Sequence, residues 1–405
     1  MPKEIAMILA GGRGERMGFL SQERPKPALP FAGRFHVIDF SLSNCANSRI
    51  DNIAVLVDYQ RFQMSDYLRH WNLTNTDMMK FDILEPVIGS YKGTADAIYQ
   101  NLGYFQSDGT DRVLVLAGDH VYKMDYRKML AFHDQVKADV TVGVVRVPIK
   151  QVHRFGTINL DPKGRILEFV EKSPILNSNL ASMGIYVFNK DVLTVRLIED
   201  AALANSPHDF GYAVIPRMVK KDKVYAFEFD GYWQDIGTIE AYYSANMELI
   251  RDNPSFSLDG TWPILTADLN SSLPSISRQG SIHNSLISPN CVVKGHVENS
   301  ILSSGVQIDD EAEVKNSLVM GNVHIGYHSV INRCVLDEGV NVGQFCYVGF
   351  RNDPISSNEG ITVVGKDVIV PQHTAIGHNC KILPRVQPTD FLSAVVTSDS
   401  VVAPR

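Results

Sequence analysis

Four short segments in the C-terminal third of this chain read almost alike, and they constrain its fold more than any other feature. Asn284-Ser285-Leu286-Ile287 recurs as Asn299-Ser300-Ile301-Leu302, as Asn316-Ser317-Leu318-Val319 and, degraded, as Asn332-Arg333-Cys334-Val335. The interval is roughly 15 to 17 residues, with isolated apolar positions about six residues apart filling the gaps. That period corresponds to three short strands per turn, the form of a left-handed parallel β-helix built from hexapeptide-like repeats. Ile361-Thr362-Val363-Val364-Gly365 and Ala375-Ile376-Gly377 extend the pattern, so further coils are expected between Gly360 and Ile382. A solenoid stacks an apolar interior and leaves flat sides, so its expected role is scaffold and subunit contact.

The first 250 or so residues have a different texture. Short apolar runs rich in β-formers alternate with longer amphipathic stretches, the pattern of βαβ units around a mainly parallel sheet. Strands are predicted at Ile5-Leu9, Ile53-Val57, Val113-Ala117 and Val140-Val147. Helices are predicted from Met64 to Trp71 and from Ala95 to Phe105, the second with Thr94 as its N-cap. This is the reading of a doubly wound α/β domain, in which ligands bind beyond the carboxyl ends of the strands. After Asn253-Pro254 the helical periodicity fades, and Trp262 to Ser277 reads as a linker. The expected organisation is a catalytic domain over 1–255, a linker over 256–280 and a β-helix over 281–405.

A chain of 405 residues has room for two such domains, each with its own core. Its formal charge of −7, without a basic block, argues against a nucleic-acid partner. Five cysteines (Cys45, Cys291, Cys334, Cys346 and Cys380) with no C-x-x-C pair indicate neither a disulfide framework nor a zinc site, which suits a reducing cytoplasm. The apolar run Ile5 to Ala10 is too short for a signal-peptide core or a membrane span, and no membrane association is expected.

The unusual residues follow the strands. Leu9-Ala10-Gly11-Gly12-Arg13-Gly14-Glu15-Arg16-Met17 runs a strand into a loop of three glycines and two arginines, whose backbone N–H groups can wrap a phosphate chain. It ends in neither the Gly-Lys-Ser/Thr of an ATPase loop nor the third glycine of a dinucleotide fingerprint, since Met17 stands there. Arg24-Pro25-Lys26-Pro27 follows, with two prolines stiffening the segment that presents the lysine. Taken together, this opening resembles that of the sugar nucleotidyltransferases, and Ile38-Asp39-Phe40-Ser41-Leu42-Ser43-Asn44-Cys45 resembles their adenylyltransferase branch.

The resemblance spans nearly the whole chain and implies ATP and glucose 1-phosphate as substrates, ADP-glucose and pyrophosphate as products, and a place before glycogen or α-glucan synthesis. It implies nucleotide contacts at Leu9, Ala10, Gly11, Gly12, Gly14, Gly93, Thr94 and Gly118. Catalytic roles fall on Arg16, Lys26 and Asp119, and Mg²⁺ on Asp119 and Asp235, carboxylates being the ligands a hard cation prefers. Sugar-phosphate contacts fall on Tyr91, Gly156, Glu171, Lys172, Ser182, Gly184, Tyr186, Asp209, Phe210 and Trp233, with Lys172 gripping the phosphate. A homotetramer is implied, with room for a related subunit.

Some positions depart from the family pattern. The loop Leu84 to Lys92 is short, lacks the usual glutamines and has Ser90 where a tryptophan is common, which loosens the inference about adenine. Glu23 replaces a lysine associated with activation, and Asp58 replaces a common glutamine. Three alternatives stay open at the level of sequence: another nucleoside triphosphate, a non-catalytic regulatory subunit, and an acyltransferase using His324 or His328 of the solenoid.

Overall fold

The computed structural model describes residues 3–106, 109–172, 178–267, 272–350 and 360–405. The chain forms two compact units, each gathered from separated stretches. The first comprises Met1–Gly12, Ile38–Trp233 and Leu258–Ala267; the second comprises Arg13–Val37, Gln234–Ser257 and Asp268–Arg405.

The first unit is built on a nine-stranded sheet. Its strands are β1 (Glu4–Leu9), β2 (Ile53–Leu56), β3 (Asp82–Leu84), β4 (Arg112–Ala117), β5 (Val140–Arg146), β6 (Gly156–Leu160), β7 (Ile166–Glu171), β8 (Leu180–Asn189) and β9 (Val224–Glu228). All four expected strands are present, each shifted by a residue at most. The order is β7-β6-β8-β4-β1-β2-β3, with β5 against β8 and β9 against β5. Strands β4, β1, β2 and β3 run parallel, as does the pair β5 and β9. Strand β8 runs antiparallel to β4, β5 and β6, so the sheet is mixed. Near-continuous burial of Ile5 to Ile8 and of Val113 to Leu116 is what a strand covered on both faces requires.

Helix α1 (Ile38–Asn47) is buried almost throughout, and its polar residues are structural. Tyr67 Oη donates to the Asp39 carboxylate, lying 2.7 and 2.8 Å from its two oxygens, and Ser41 Oγ donates to the Ala117 carbonyl. Asn44 Oδ1 accepts from Met124 N and Trp262 Nε1, while Ser43 Oγ accepts from Leu265 N. The part of the expected linker from Leu258 to Ala267 is thus a strap fastened to α1, and residues 268–271 of it lie outside the described residues. Helix α2 (Arg61–Thr74) outruns its predicted span at both ends. The helix predicted from Ala95 to Phe105 is two, α3 (Thr94–Gln100) and α4 (Leu102–Gln106), broken at Asn101. Helix α5 (Tyr126–Gln135) packs against β5, and helix α6 (Lys190–Ala201) packs against α3.

The second unit carries the solenoid. Among the described residues, three parallel sheets of six, seven and seven short strands form its sides, a left-handed β-helix that begins at Ser275–Ile276. Val293, Ile308, Ile325, Val342 and Val370 stack inward along one side. The repeated Asn-Ser pair has a geometric cause. Asn284, Asn299 and Asn316 turn the corner with φ of 42°, 46° and 49°, a left-handed conformation that asparagine tolerates better than most residues. The following serine points inward and caps the next coil: Ser317 N donates to Ser300 Oγ, and Cys334 N to Ser317 Oγ. Strand register pairs Leu318 with Val335, so the corner of the degraded repeat is Arg333, at φ 54°, one residue later than the sequence match placed it.

Candidate active site

In the first unit, the expected nucleotide and sugar residues lie at strand ends and in the loops after them, on β8, at the start of α3 and in the turn beginning at Phe210. Leu9 ends β1, Ala10 N donates to the Leu56 carbonyl, and Gly11 backs onto Asp58. Asp58 also accepts the Tyr91 backbone N–H at 3.1 Å, so it ties the loop bearing Tyr91 to the end of β2. Sequence reasoning saw Asp58 only as a departure, because its role depends on a partner distant in the chain. Gly118 N donates to the Leu9 carbonyl, which sets the turn that delivers Asp119. Asp119 Oδ1 stands 3.5 Å from His120 Nε2, and about a third of its side chain faces solvent.

Thr94 meets Asp209 directly, and Gly93 lies against the His208 carbonyl. Thr94 Oγ1 donates to Asp209 Oδ2 at 2.8 Å and accepts the Phe210 N–H at 3.0 Å. Thr94 is therefore the first residue of α3 rather than its cap; Gly93 holds the cap position, and the hydroxyl is used across the fold. A Cβ on Gly93 would stand 2.4 Å from the His208 carbonyl oxygen, so only glycine fits. Asp209 in turn caps Phe210–Val214, accepting Tyr212 N at 3.0 Å.

Glu171 ends β7 with its carboxylate largely enclosed. A Cβ on Gly156 or Gly211 would come within 2.7 and 2.6 Å of Glu171 Oε2, which explains both glycines around it. Burial pushes this carboxyl up, with the Lys172 ammonium opposing and Asp209 adding to the rise. Lys172 Nζ lies 3.7 Å from Glu171 Oε1 and 5.3 Å from the centre of the Tyr212 ring. On β8, the register shifts between Ser182 and Tyr186, and Gly184 sits in the irregularity at φ 67°. Such a bulge re-aims side chains out of the regular pleat. Tyr186 packs against Phe210, their ring centres 5.6 Å apart, and burial raises its phenol pKa. Trp233 meets His120 and Phe155 edge-on at 5.1 and 5.2 Å, and its buried indole N–H has no hydrogen-bond partner among the described residues.

In the second unit, Asp235 is the centre. Lys26 Nζ lies 2.6 Å from Asp235 Oδ1 and Arg16 3.6 Å from Oδ2, with Lys26 and Asp235 buried and Arg16 half exposed. Gly14, at φ 67°, closes over Lys26. The phosphate-loop arginine, the lysine between prolines and the second expected metal carboxylate are thus one cluster. Two residues before Lys26, Arg24 forms a buried ion pair with Asp337 at 2.8 Å and reaches Glu338 at 3.3 Å, both on the solenoid. Burial raises Asp337, and the Arg24 charge opposes that rise.

Asp119 and Asp235 each carry the oxygen donors that a hard cation prefers. A small hard cation takes only one or two carboxylates beside phosphate oxygens. Asp119 is accessible, and Asp235 already accepts the positive charge of Lys26. Of the histidines raised as acyltransferase bases, His324 Nε2 lies 3.0 Å from Asp309 Oδ2, whereas His328 stacks on Phe345.

Residues 5–252 match the family described as nucleotidyl transferase. The chain belongs to that family. Within it, residues 273–364 match a second description, GlmU-like C-terminal hexapeptide, in keeping with the solenoid. Three nucleotidyl transferases similar to this chain are named glucose-1-phosphate adenylyltransferase. The protein from Acetivibrio thermocellus is 39% identical over 97% of this chain and 96% of its own length. The one from Thermomicrobium roseum is 41% identical over 100% and 98%, and that from Thermotoga neapolitana 40% identical over the full length of both. Nucleotidyl transferases of this kind generally use a divalent metal. No helix among the described residues is long and apolar enough to cross a membrane, and the five cysteines are free and buried.

Proposed function

We propose that this chain transfers the adenylyl group of ATP to glucose 1-phosphate, forming ADP-glucose and pyrophosphate for glycogen or α-glucan synthesis. The observation that carries this reading is the match, over nearly the whole chain, to relatives that bear the name of that activity. The phosphate oxygen of glucose 1-phosphate attacks the α-phosphorus of ATP; a new P–O bond forms as the bond to the β-phosphate bridge breaks, and its electron pair leaves with pyrophosphate. The attacking phosphate is already ionised, so no general base is needed. Catalysis rests on positioning and on neutralising charge.

Arg16 and Lys26 stabilise the departing pyrophosphate, and their contact with Asp235 supports placing them at one charge centre. Asp119 and Asp235 would hold Mg²⁺, which supplies Lewis-acid charge at phosphate oxygens when bound. The backbone of Leu9 to Gly12, with Gly14, Gly93, Thr94 and Gly118, lines the nucleotide. Lys172 takes the sugar phosphate, and Glu171, Ser182 and Asp209 take sugar hydroxyls. Trp233 supports the same assignment, since a buried N–H without a protein acceptor is a donor available to a ligand. By the family resemblance the chain works as a cytoplasmic homotetramer in which residues 1–255 carry the chemistry.

Measuring pyrophosphate release from glucose 1-phosphate with each of the four common nucleoside triphosphates tests the reading. ATP is expected to be the preferred donor by at least about tenfold in kcat/KM, equivalent to about 1.4 kcal/mol. Equal or better use of UTP or GTP would overturn the adenylyl assignment, and no release with any of them would overturn the reaction.

A further inference from the structure

Asp200, near the end of α6, is a buried carboxylate that the proposed chemistry does not use. Three groups converge on it. Ser206 Oγ donates at 2.6 Å, His208 Nδ1 donates at 2.9 Å, and the Arg217 guanidinium completes the cluster. Burial alone would raise this carboxyl, but Ser206, His208 and Arg217 together hold it below its ordinary value.

The chain immediately after this cluster carries its consequence. His208 is held at φ 51°, a left-handed conformation uncommon outside glycine but one that histidine, like asparagine and aspartate, adopts more readily than most residues. Its amide donates to Ser206 Oγ at 3.1 Å, so backbone and side chain are both fixed from the Asp200 side. From that conformation the His208 carbonyl accepts the N–H groups of Ala95 and Asp96 at 2.9 and 3.1 Å. Those are the first donors of α3, which an isolated helix leaves unsatisfied. The next residue, Asp209, receives the Thr94 hydroxyl, and Phe210 N returns a bond to it.

We propose that Asp200 is a positioning residue: by fixing His208 in its left-handed turn, it locks the Gly93–Thr94 segment of the nucleotide side to the Asp209–Phe210 segment of the sugar side. The proposal rests on the adenylyl-transfer reading for the roles of those two segments. The contacts that join them are independent of it. In this arrangement neither half-site adjusts alone, so loosening the buried cluster weakens both substrates at once.

The test compares Asp200→Ala and the near-isosteric Asp200→Asn with Asp209→Asn and two changes at His208. Asp200→Ala is expected to raise KM for ATP and for glucose 1-phosphate together, each by about tenfold, and Asp200→Asn by a smaller factor in the same proportion. Asp209→Asn keeps an oxygen for the Thr94 hydroxyl while removing the charge offered to the sugar, so it is expected to raise the sugar-phosphate KM well beyond the ATP KM. His208→Asn tolerates positive φ and can still donate to Asp200, so it should stay within about threefold of the parent; His208→Val does neither and should resemble Asp200→Ala. Hydrogen exchange supplies a readout that needs no turnover: the Ala95 and Asp96 amides should exchange at least about tenfold faster in Asp200→Asn, with the amides of Ile8 and Val115 unchanged. Unaltered exchange at Ala95 and Asp96, or a change in KM for one substrate only, would overturn the proposal. Loss of melting temperature with both KM values intact would likewise reduce Asp200 to a packing residue. If the parent chain releases no pyrophosphate, the function reading fails while the exchange experiment still decides the positioning role.

Discussion

At the scale of single residues, Asp119 and Asp235 have different surroundings but share one expected phenotype, because both are proposed metal carboxylates. Asn at either position keeps the shape and removes the charge. Each change is expected to lower kcat by at least about a hundredfold with the fold intact, as circular dichroism would verify. Near-normal turnover in both would remove the metal assignment. Lys172→Ala should leave kcat nearly unchanged and raise KM for glucose 1-phosphate roughly ten- to hundredfold, because a charge-assisted contact made equally in ground and transition states contributes about 1.5–3 kcal/mol to binding alone. A rise confined to the ATP KM would refute its placement. Lys26 and Arg16 were legible in the sequence because proline and glycine spacing marks a loop built to present them. Asp58 and Asp200 were not, because an isolated aspartate acquires meaning only from partners the sequence does not bring near it.

At the scale of elements, the solenoid coil and the α3 turn differ in how much of their design is local. The inward serine of each Asn-Ser pair satisfies the amide of the coil above it. Ser317→Ala leaves Cys334 N buried without its acceptor, and should cost about 1–3 kcal/mol of stability in denaturant titration. A loss below about 0.3 kcal/mol would show that the hydroxyl ladder is dispensable. This repeat was readable because every coil solves the same corner with the same residues, whereas the one-residue offset at Arg333 appeared only from strand register. Helix α3 was foreseen as an element, but its capping was misread. The His208 carbonyl, from far along the chain, takes the donors that Thr94 was expected to serve.

At the scale of the whole molecule, the segment that carries Arg16 and Lys26 belongs to the same compact unit as the solenoid. Arg24→Ala would strand Asp337 as a buried carboxylate and is expected to cost about 3 kcal/mol or more, with a lowered thermal midpoint. A midpoint within a degree of the parent would mean that Asp337 finds another partner. Ending the chain after Asn253 removes Asp337 and Glu338 together, so the truncated protein should aggregate or change subunit number; where it stays folded it should still bind Mg-ATP, with turnover slowed rather than abolished. Light scattering and pyrophosphate release on one preparation would check this; a soluble truncation of unchanged subunit number and full activity would defeat the scaffold role.

What the sequence determined by itself was periodic or contiguous. Alternating strands and helices, the repeat of roughly 15 to 17 residues and the glycine loop followed by Arg-Pro-Lys-Pro all act through neighbouring residues, and they sufficed for the fold class, while most candidate site positions came from the family resemblance. The tertiary structure decided what depends on distant partners: the antiparallel course of β8, the closure of Gly93 by His208, the Thr94–Asp209 bond across 115 residues and the Arg24–Asp337 pair across 313. The physical reason is the same in each case. A buried donor, carboxylate or glycine is specified by the group it must satisfy or admit, and in these cases that group lies on another element, brought near only when the chain has folded.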